Sequence, residues 1–250
     1  MAQEARGWMD PGVSGRVGLL GSFAWWRGDT PIAVGLTGQR LITLVAVRQR
    51  PMPRSVVAGT LWPESSEAHA GASLRTELWK LARAGAPVQL AADGRLTLGP
   101  DVTSDYRDAI HLARGVLDGE RCPTMAEVAD LLLDDLLPDR TEEWLEAERI
   151  RFHQLRLHAL EALVDRYVHH GRYAAAVEIG LAAVEADPYR ESSRRVLISA
   201  YLGEGNVRDA VNEYRAFQTL LADELSAEPT TALRSLIDDV APRRVMLMPA

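Results

Sequence analysis

The second half of the chain repeats itself with a period of 34 residues. Five pairs of identical residues have this separation: Leu163 and Leu197, Tyr167 and Tyr201, Gly171 and Gly205, Ala176 and Ala210, and Val177 and Val211. The period is typical of tetratricopeptide-like repeats, in which a glycine separates two helices and a small alanine lets them approach closely. The sequence therefore predicts stacked helix pairs. Their surface could bind a partner protein, or serve equally as a dimer contact or as a brace for the rest of the chain.

The stretch from Arg54 to Arg83 predicts two helices joined by a short acidic loop. Pro63 ends the first helix because proline cannot continue it, and the second helix is expected from Glu67 to Arg83. At 3.6 residues per turn, small and apolar residues fall in one narrow sector of the second helix: Ala70, Gly71, Leu74, Leu78 and Leu81. This sector should face a core.

The opposite face of the second helix is mostly polar and carries several cations. It contains His69, Thr76, Trp79, Lys80 and Arg83, with Arg75 and Ala82 on one flank. Taken alone, such a face is most often only a solvated surface. It is also the pattern of a helix that enters a DNA groove, and the next segment favours this second interpretation.

The segment from Pro87 to Gly99 predicts a β-hairpin. Two short apolar strands flank Asp93-Gly94, a favourable turn pair, and Arg95 follows the turn. Helix, loop, helix and hairpin, in this order, form a winged helix-turn-helix, whose second helix enters the major groove while the hairpin reaches the flanking backbone or the minor groove. Short apolar runs between Val17 and Val34 predict a small antiparallel sheet ahead of the helices.

The predicted DNA contacts fall into two groups. Those expected at the major groove are Arg75, Thr76, Trp79, Lys80 and Arg83. Among them, Arg75, Thr76 and Lys80 should read base edges, because arginine or lysine bonded to guanine is the commonest specific contact. Arg54, near a helix N-terminus, and Arg95, on the hairpin, should hold phosphates instead.

Charge is divided unevenly along the chain, although the formal net charge is −7. Residues 1–100 carry 11 Lys and Arg against 7 Asp and Glu, a net charge of +4, and residues 101–250 carry 17 against 28, a net charge of −11. This split favours a first part that meets an anionic polymer and a second part that meets protein or small molecules.

The residues that catalysis or metal binding would need are not arranged for it. Cys122 is the only cysteine, so neither an intrachain disulfide nor a zinc site built from thiolates can form. His153 and His158 are five residues apart, a spacing that does not bring two imidazoles to one metal. The carboxylates occur as adjacent pairs on polar helix faces, and no glycine-rich phosphate loop or nucleophile elbow is present. We therefore expect no enzymatic activity, no cofactor and no metal.

No stretch of the sequence predicts membrane insertion or secretion. The N-terminus lacks the apolar core of a secretory signal, and the longest apolar run, Leu41 to Val47 interrupted by Thr43, is far shorter than the roughly 18 residues that span a bilayer. A cytoplasmic location is expected.

Several stretches together resemble the actinobacterial antibiotic regulatory proteins, the SARP family of pathway-specific transcription activators. They are VGLLG, GQRLITLVAV, RSVVAGTLWPESSEAHAGASLRTELWKL, DPYRESSRRVLISAYLGEGN and ADELSAEPTTAL. The resemblance covers nearly the whole chain and implies a response-regulator-type winged helix followed by a helical bacterial transcriptional activator domain. Ala82 departs from the pattern, since many relatives carry a basic residue there, and the number of DNA contacts from this helix is open.

The resemblance also implies the partners. Activators of this family bind head to tail on direct repeats of double-stranded DNA beside promoters and touch RNA polymerase, so two copies would form a homodimer on DNA. The loop between the two helices should stand off the DNA because its carboxylates are repelled by phosphates. The expected polymerase contacts are therefore the loop residues Glu64, Ser65, Ser66 and Glu67.

These observations predict a mainly α fold with a small N-terminal β component, a winged helix-turn-helix followed by a tetratricopeptide-like helical repeat domain. The expected divisions are a disordered N-terminus (1–14), a DNA-binding domain (15–100), a helical transcriptional activator domain (101–242) and a tail (243–250). The predicted function is a sequence-specific, DNA-binding transcriptional activator. The alternative is a protein-interaction module that does not bind DNA and uses the repeats as a scaffold.

Overall fold

The computed structural model describes residues 15–85 and 87–238. The predicted disordered N-terminus, residues 1–14, and the predicted tail, residues 243–250, lie outside these residues. The described chain forms six short strands and ten helices, so the predicted fold class, mainly α with a small N-terminal β component, is confirmed.

The strands are β1 (Gly15–Gly18), β2 (Ala24–Arg27), β3 (Thr30–Pro31), β4 (Val88–Leu90), β5 (Leu96–Leu98) and β6 (Val102–Ser104). The helices are α1 (Leu36–Arg48), α2 (Arg54–Leu61), α3 (Glu67–Arg83), α4 (Asp105–Leu117), α5 (Met125–Leu132), α6 (Glu143–His169), α7 (Tyr173–Ala186), α8 (Glu191–Glu204), α9 (Val207–Leu225) and α10 (Thr231–Asp238). The chain divides into two compact units. The first contains the described residues up to Leu112 together with Asp134–His153, and the second contains Ala113–Leu133 and the described residues from Gln154 onward.

A four-stranded sheet in the first unit has the strand order β3-β2-β1-β6. Strand β1 pairs antiparallel with β2, with Gly15 opposite Arg27, and parallel with β6, with Gly15 opposite Val102. The small sheet expected ahead of the helices is therefore present, but it also includes a strand from beyond the hairpin. Parallel pairing joins segments that are distant in sequence, so it leaves no local turn signal.

Asp105 ties the end of β1 to the start of α4. Its carboxylate accepts hydrogen bonds from the backbone amides of Leu19 at 2.9 Å, Leu20 at 3.1 Å and Tyr106 at 2.6 Å. Burial raises the pKa of Asp105 above its ordinary value, against the opposing effect of these amide bonds. A carboxylate at this position also interacts favourably with the N-terminal end of the helix dipole.

Helices α1, α2 and α3 form the centre of the first unit. Leu41, Ile42 and Leu44 of α1 are fully buried. Four of the five residues predicted to face the core from α3 are buried, namely Ala70, Leu74, Leu78 and Leu81, while Gly71 is half-buried. Helix α3 begins and ends at the predicted residues. Helix α2, the loop after it, helix α3 and the β4–β5 hairpin thus follow one another in the order of a winged helix.

The hairpin, β4 and β5, pairs Val88 with Leu98 and is anchored to the segment between α1 and α2. Met52 and Leu96 exchange two backbone hydrogen bonds of 2.8 Å. At the turn, the amide of Ala91 donates to the carbonyl of Arg95 at 2.8 Å, and that of Gly94 donates to the carbonyl of Ala91 at 2.9 Å. Gly94 has φ +78°, which glycine adopts without strain. The predicted hairpin is confirmed, and Asp93 and Gly94 lie in its turn.

The second unit contains the predicted helix pairs. Gly171 and Gly205 lie between successive helices with φ of +70° and +89°, so each ends one helix and redirects the chain. Ala176 and Ala210 have no exposed surface. A Cβ built on Gly180 of α7 would lie 3.1 Å from Leu197 of α8, which shows how closely these two helices pack. The 34-residue repeat thus marks the turns and contacts of the stack.

Candidate nucleic-acid interface

Helix α3 begins at a side-chain cap formed by Ser66. The hydroxyl of Ser66 accepts a hydrogen bond from the amide of His69 at 3.4 Å, and the same hydroxyl lies 2.8 Å from the His69 ring nitrogen Nδ1. Glu67 lies in the first turn, and Lys80 and Arg83 lie in the last, so each charge complements the helix dipole. Ser66, predicted as a polymerase contact, therefore has a structural role at the start of the helix.

The predicted DNA-reading residues of α3 are all exposed: Arg75, Thr76, Trp79, Lys80 and Arg83. Trp79 is 56% exposed, an unusual state for a large aromatic side chain. The guanidinium of Arg83 lies 4.9 Å from the centre of the Trp79 ring, close enough for a cation–π contact. These two side chains together form a flat, positively charged patch on α3.

The cations of α3 differ in whether a carboxylate forms an ion pair with them. The ammonium of Lys80 lies 3.2 Å from the Oε2 atom of Glu77, one turn earlier in the helix. Arg75 makes no ion pair within residues 15–85 and 87–238. The hydroxyl of Thr76 donates to the carbonyl of Ala72 at 3.1 Å, which leaves the methyl group and the oxygen lone pairs of Thr76 for other contacts.

Glu77 contacts a residue of the candidate interface but is not among the residues predicted from the sequence. It is only 7% exposed, and a Cβ built on Gly38 of α1 would lie 3.0 Å from its Oε1 atom. Glu77 is three residues beyond Leu74 and four before Leu81, so it falls within the apolar sector of the helix. That position was the available signal, because a carboxylate on a buried face must find a cation or a donor.

Arg95, the cation of the hairpin, also forms an ion pair. The Nε atom of Arg95 lies 3.2 Å from Oδ2 of Asp93, and the Arg95 amide donates to Oδ1 at 3.1 Å. Both side chains are more than half exposed. An exposed pair of this kind is held weakly, since water screens it and side-chain entropy opposes it. Arg95 can therefore exchange Asp93 for another anion.

A groove of about 950 Å³ lies between α2 and α3. Buried small and apolar residues line it, including Ala58, Ala70 and Leu74, together with exposed polar residues: Arg54, Arg75, Ser65, Ser66 and Glu67. The structure thus brings two residues predicted to contact DNA and three predicted to contact polymerase around one groove. Glu64 is exposed but does not line it.

Comparison with known families identifies the chain. The model of the bacterial transcriptional activator domain matches residues 105–241, more than half of the chain. The chain belongs to this family. The resemblance to the antibiotic regulatory proteins is confirmed, and the bacterial transcriptional activator domain is common to the chain and to that family.

The chain is similar to two bacterial regulatory proteins. The regulatory protein AfsR of Streptomyces coelicolor is 28% identical over 237 residues, which cover 88% of this chain and 24% of AfsR. The transcriptional regulatory protein EmbR of Mycobacterium tuberculosis is 29% identical over 241 residues, which cover 88% of this chain and 61% of EmbR. The chain therefore spans about a quarter of the first relative and about three fifths of the second.

A solved structure has the same fold as this family member. Mycobacterium tuberculosis EmbR in complex with a low affinity phosphopeptide aligns with a TM-score of 0.69 at 24% identity, over 90% of this chain and 64% of that one. In the part of the chain that the structure describes, no helix is long and apolar enough to cross a membrane. The same residues contain no group of three or more His, Cys, Asp or Glu side chains that could hold a metal ion.

Proposed function

We propose that this family member is a sequence-specific, DNA-binding transcriptional activator that inserts α3 into the major groove. The observation that carries the proposal is the exposed face of α3, where Arg75 has no ion-pair partner in the described residues and Trp79 is left open to solvent. A purely solvated helix face has no need for an exposed tryptophan, whereas a groove-binding face uses both groups. A regulator of this kind acts in the cytoplasm, where bacterial DNA lies.

Arg75 is the principal base-reading residue in this proposal. Its five N–H donors are available for a bidentate contact with a guanine edge. Lys80 must first leave Glu77, whose carboxylate is buried and cannot follow it into the groove. The contribution of Lys80 should therefore be smaller than that of Arg75. The Thr76 methyl group suits a contact with a thymine methyl, and Trp79 with Arg83 covers the adjacent sugar-phosphate backbone.

Arg54 and Arg95 supply phosphate contacts in addition to the base-reading residues of α3. Arg54 is the first residue of α2 and is exposed, so its charge adds to the positive end of that helix dipole. Arg95 lies at the turn of the hairpin, where the wing of such folds reaches the backbone. Copies bound head to tail on direct repeats about 10 to 10.5 base pairs apart, or a multiple of that spacing, would lie on one face of the duplex.

RNA polymerase is the second proposed partner, and the loop before α3 is the proposed contact. Glu64, Ser65, Ser66 and Glu67 are exposed, and three of them line the groove between α2 and α3. The loop carboxylates would meet a basic polymerase surface, where complementary charge speeds encounter more than it deepens affinity. The small and apolar residues of the groove could take an apolar side chain of the partner. The proposed domain division at residues 100 and 101 assigns both contacts to the first domain.

The DNA-binding part is tested by titrating purified protein against genomic fragments selected by binding. Arg75→Ala should weaken binding by about 1 to 3 kcal/mol and relax the preference at one base pair. Arg215→Ala is the matched control because it removes an exposed arginine from α9 and should leave binding unchanged. Failure of the unaltered protein to select any fragment would support the alternative, a protein-interaction module that uses the repeats as a scaffold.

The polymerase part is tested by transcription from a purified promoter. Glu64→Ala combined with Glu67→Ala should leave operator binding intact or slightly tighter, since phosphate repulsion is relieved, and should lower transcription. Asp223→Ala combined with Glu224→Ala removes the same charge from an exposed part of α9 and should change neither. Normal transcription by the loop variant at saturating occupancy would move the polymerase contact elsewhere.

A further inference from the structure

A second pocket in the first unit lies where α1 ends and α4 begins. Its volume is about 380 Å³, and residues from the end of α1, the end of β5 and the start of α4 line it. Six polar or charged side chains contribute: Gln49, Arg50, Thr97, Ser104, Arg107 and His111. No Asp or Glu is among the lining residues. The pocket therefore combines donors and positive charge without a compensating carboxylate.

Ser104 is the observation that indicates a ligand. It is 1% exposed, and its hydroxyl has no hydrogen-bond partner in the described part of the chain. Burial of a hydroxyl without a partner is costly, and most buried polar groups are satisfied. Ser104 lines the pocket, so a bound molecule with acceptor oxygens would supply the partner that the protein does not.

Arg50 and Arg107 indicate that the bound molecule carries a negative charge. Arg50 is exposed and makes no ion pair within residues 15–85 and 87–238. Arg107 donates from Nη2 to the carbonyl of Val102 at 3.1 Å, which orients its guanidinium and leaves other N–H donors for a ligand. The carboxylate of the nearby Asp105 is already engaged by the amides of Leu19 and Leu20. Guanidinium groups match phosphate geometry and bind it with charge-assisted hydrogen bonds.

We propose that this pocket binds the phosphoryl group of a small molecule. The hydroxyl of Ser104, the guanidinium groups of Arg50 and Arg107 and the imidazole of His111 come from three segments of the chain and together offer enough donors for the several oxygens of a phosphoryl group. A volume near the lower end of the roughly 300 to 1,000 Å³ range of ligand pockets fits a phosphorylated metabolite of small size. A dinucleotide would be too large.

The phosphoryl group belongs to a free molecule rather than to the DNA backbone. The pocket uses Thr97, Leu98 and Gly99, at the end of β5 that is opposite to the hairpin turn, and no residue of α3 lines it. The site is thus separate from the proposed DNA contacts. Its occupation does not depend on whether the chain binds DNA.

The test is calorimetric titration of the full chain with inorganic phosphate, with sodium acetate and sodium chloride at matched ionic strength. Phosphate should bind saturably, and acetate and chloride should not. Arg50→Gln should weaken phosphate binding by roughly tenfold or more, since a charge-assisted hydrogen bond is lost. Arg114→Gln is the control: it removes an exposed arginine of α4 that does not line the pocket and should leave the binding unchanged.

Ser104→Ala separates ligand binding from a structural role. Without phosphate, this variant should melt at the same or a slightly higher temperature, because it removes a buried hydroxyl that lacks a partner. It should nevertheless bind phosphate more weakly. A lower melting temperature without phosphate, or unchanged phosphate binding, would contradict the role assigned to Ser104.

Three other results would overturn the proposal. The first is no saturable phosphate binding by the unaltered protein, and the second is equal weakening by Arg50→Gln and Arg114→Gln, which would show only general charge attraction. The third concerns DNA as the source of the phosphoryl group. If Arg50→Gln lowers the salt dependence of DNA binding while free phosphate does not bind, the pocket serves the DNA backbone.

Discussion

Arginine serves two different purposes in the two units of this protein. In the second unit, Arg190 donates to Glu161 at 2.7 Å and to Gln154 at 2.8 Å, and Arg194 is paired with Glu213 and lies 5.4 Å from the ring centre of Phe217. These side chains are largely buried. In the first unit, Arg54 and Arg75 are exposed and make no ion pair in the described part of the chain.

The comparison shows that the residue type alone does not reveal its function. Burial makes an arginine depend on its carboxylate, because an unpaired charge away from water is very costly. Exposure leaves the guanidinium hydrated and ready to exchange water and counterions for phosphate. Arg190 and Arg194 of the repeats therefore stabilise the fold, whereas Arg54 and Arg75 are available for a polyanion.

The largest effect is expected from Glu213→Ala in the repeats. It would leave Arg194, whose side chain is 10% exposed, without its carboxylate. Loss of one partner of a buried pair should lower the free energy of unfolding by roughly 3 kcal/mol, the low end of the usual range because both groups retain some solvent contact. Urea denaturation of the second unit would measure it. If the free energy of unfolding fell by no more than is typical for a surface ion pair, the contrast between the two sets of arginines would be wrong.

Ala210→Leu tests whether the repeats can be destabilised separately from the α3 region. Ala210 has no exposed surface and packs in a cluster with Ile198, Tyr214 and Phe217. A larger side chain must push the helices apart, which typically costs about 1 to 3 kcal/mol. Calorimetry should show a lower melting temperature for the repeats and an unchanged transition for the first unit. An unchanged thermogram would contradict the helix-pair assignment.

The ionisation of Glu161 offers a test of how much a buried ion pair contributes to stability. Burial of Glu161 opposes its ionisation, but hydrogen bonds from Arg190, Ser192 and Ser193 outweigh burial and hold its pKa below the ordinary value. A pKa that is lower in the folded than in the unfolded state means that the ionised carboxylate stabilises the fold. This stabilisation is present above the unfolded pKa, about 4.3 for glutamate, and is lost as pH falls through the folded pKa.

Glu161→Gln should therefore lower stability at neutral pH by about 1 to 2 kcal/mol, as expected for lost charge-assisted hydrogen bonds. The difference from the unaltered protein should shrink as the pH falls below the ordinary glutamate pKa. Urea titrations at successive pH values would follow it. If the difference in unfolding free energy stayed constant with pH, the negative charge of Glu161 would not be the source of the stabilisation.

The smallest effect is expected from Arg95→Ala on the wing. Removal of one phosphate contact should reduce the slope of log binding constant against log salt concentration by about 0.9, with no change in sequence preference. Asp93→Asn is the complementary variant, since it removes the competing charge 3.2 Å from Arg95 and should tighten binding slightly. A changed sequence preference with an unaltered salt slope would assign Arg95 to the bases instead.

Much of the framework was predictable because it depends on local periodicity. The apolar sector of α3, its first and last residues and the hairpin around Asp93 and Gly94 all follow from spacing and turn chemistry within short windows. The repeats were predictable for the same reason, since identical residues return at the same structural position. The exposure of Trp79 also follows from its position opposite the leucines, and that of Arg75 from its position on the flank of the polar face.

The long-range pairs of charged groups were not predictable, because Arg190 with Glu161 and Arg194 with Glu213 join side chains that lie far apart in the sequence. Spacing and turn residues were enough to predict which faces are apolar, where helices end and which cations of α3 are exposed. The fold of the whole chain was needed to show that the Glu77 carboxylate lies against α1, that β6 pairs with β1, and that the Ser104 hydroxyl is buried without a hydrogen-bond partner among the described residues. Periodicity acts within one element, whereas burial and ion pairing depend on which elements meet.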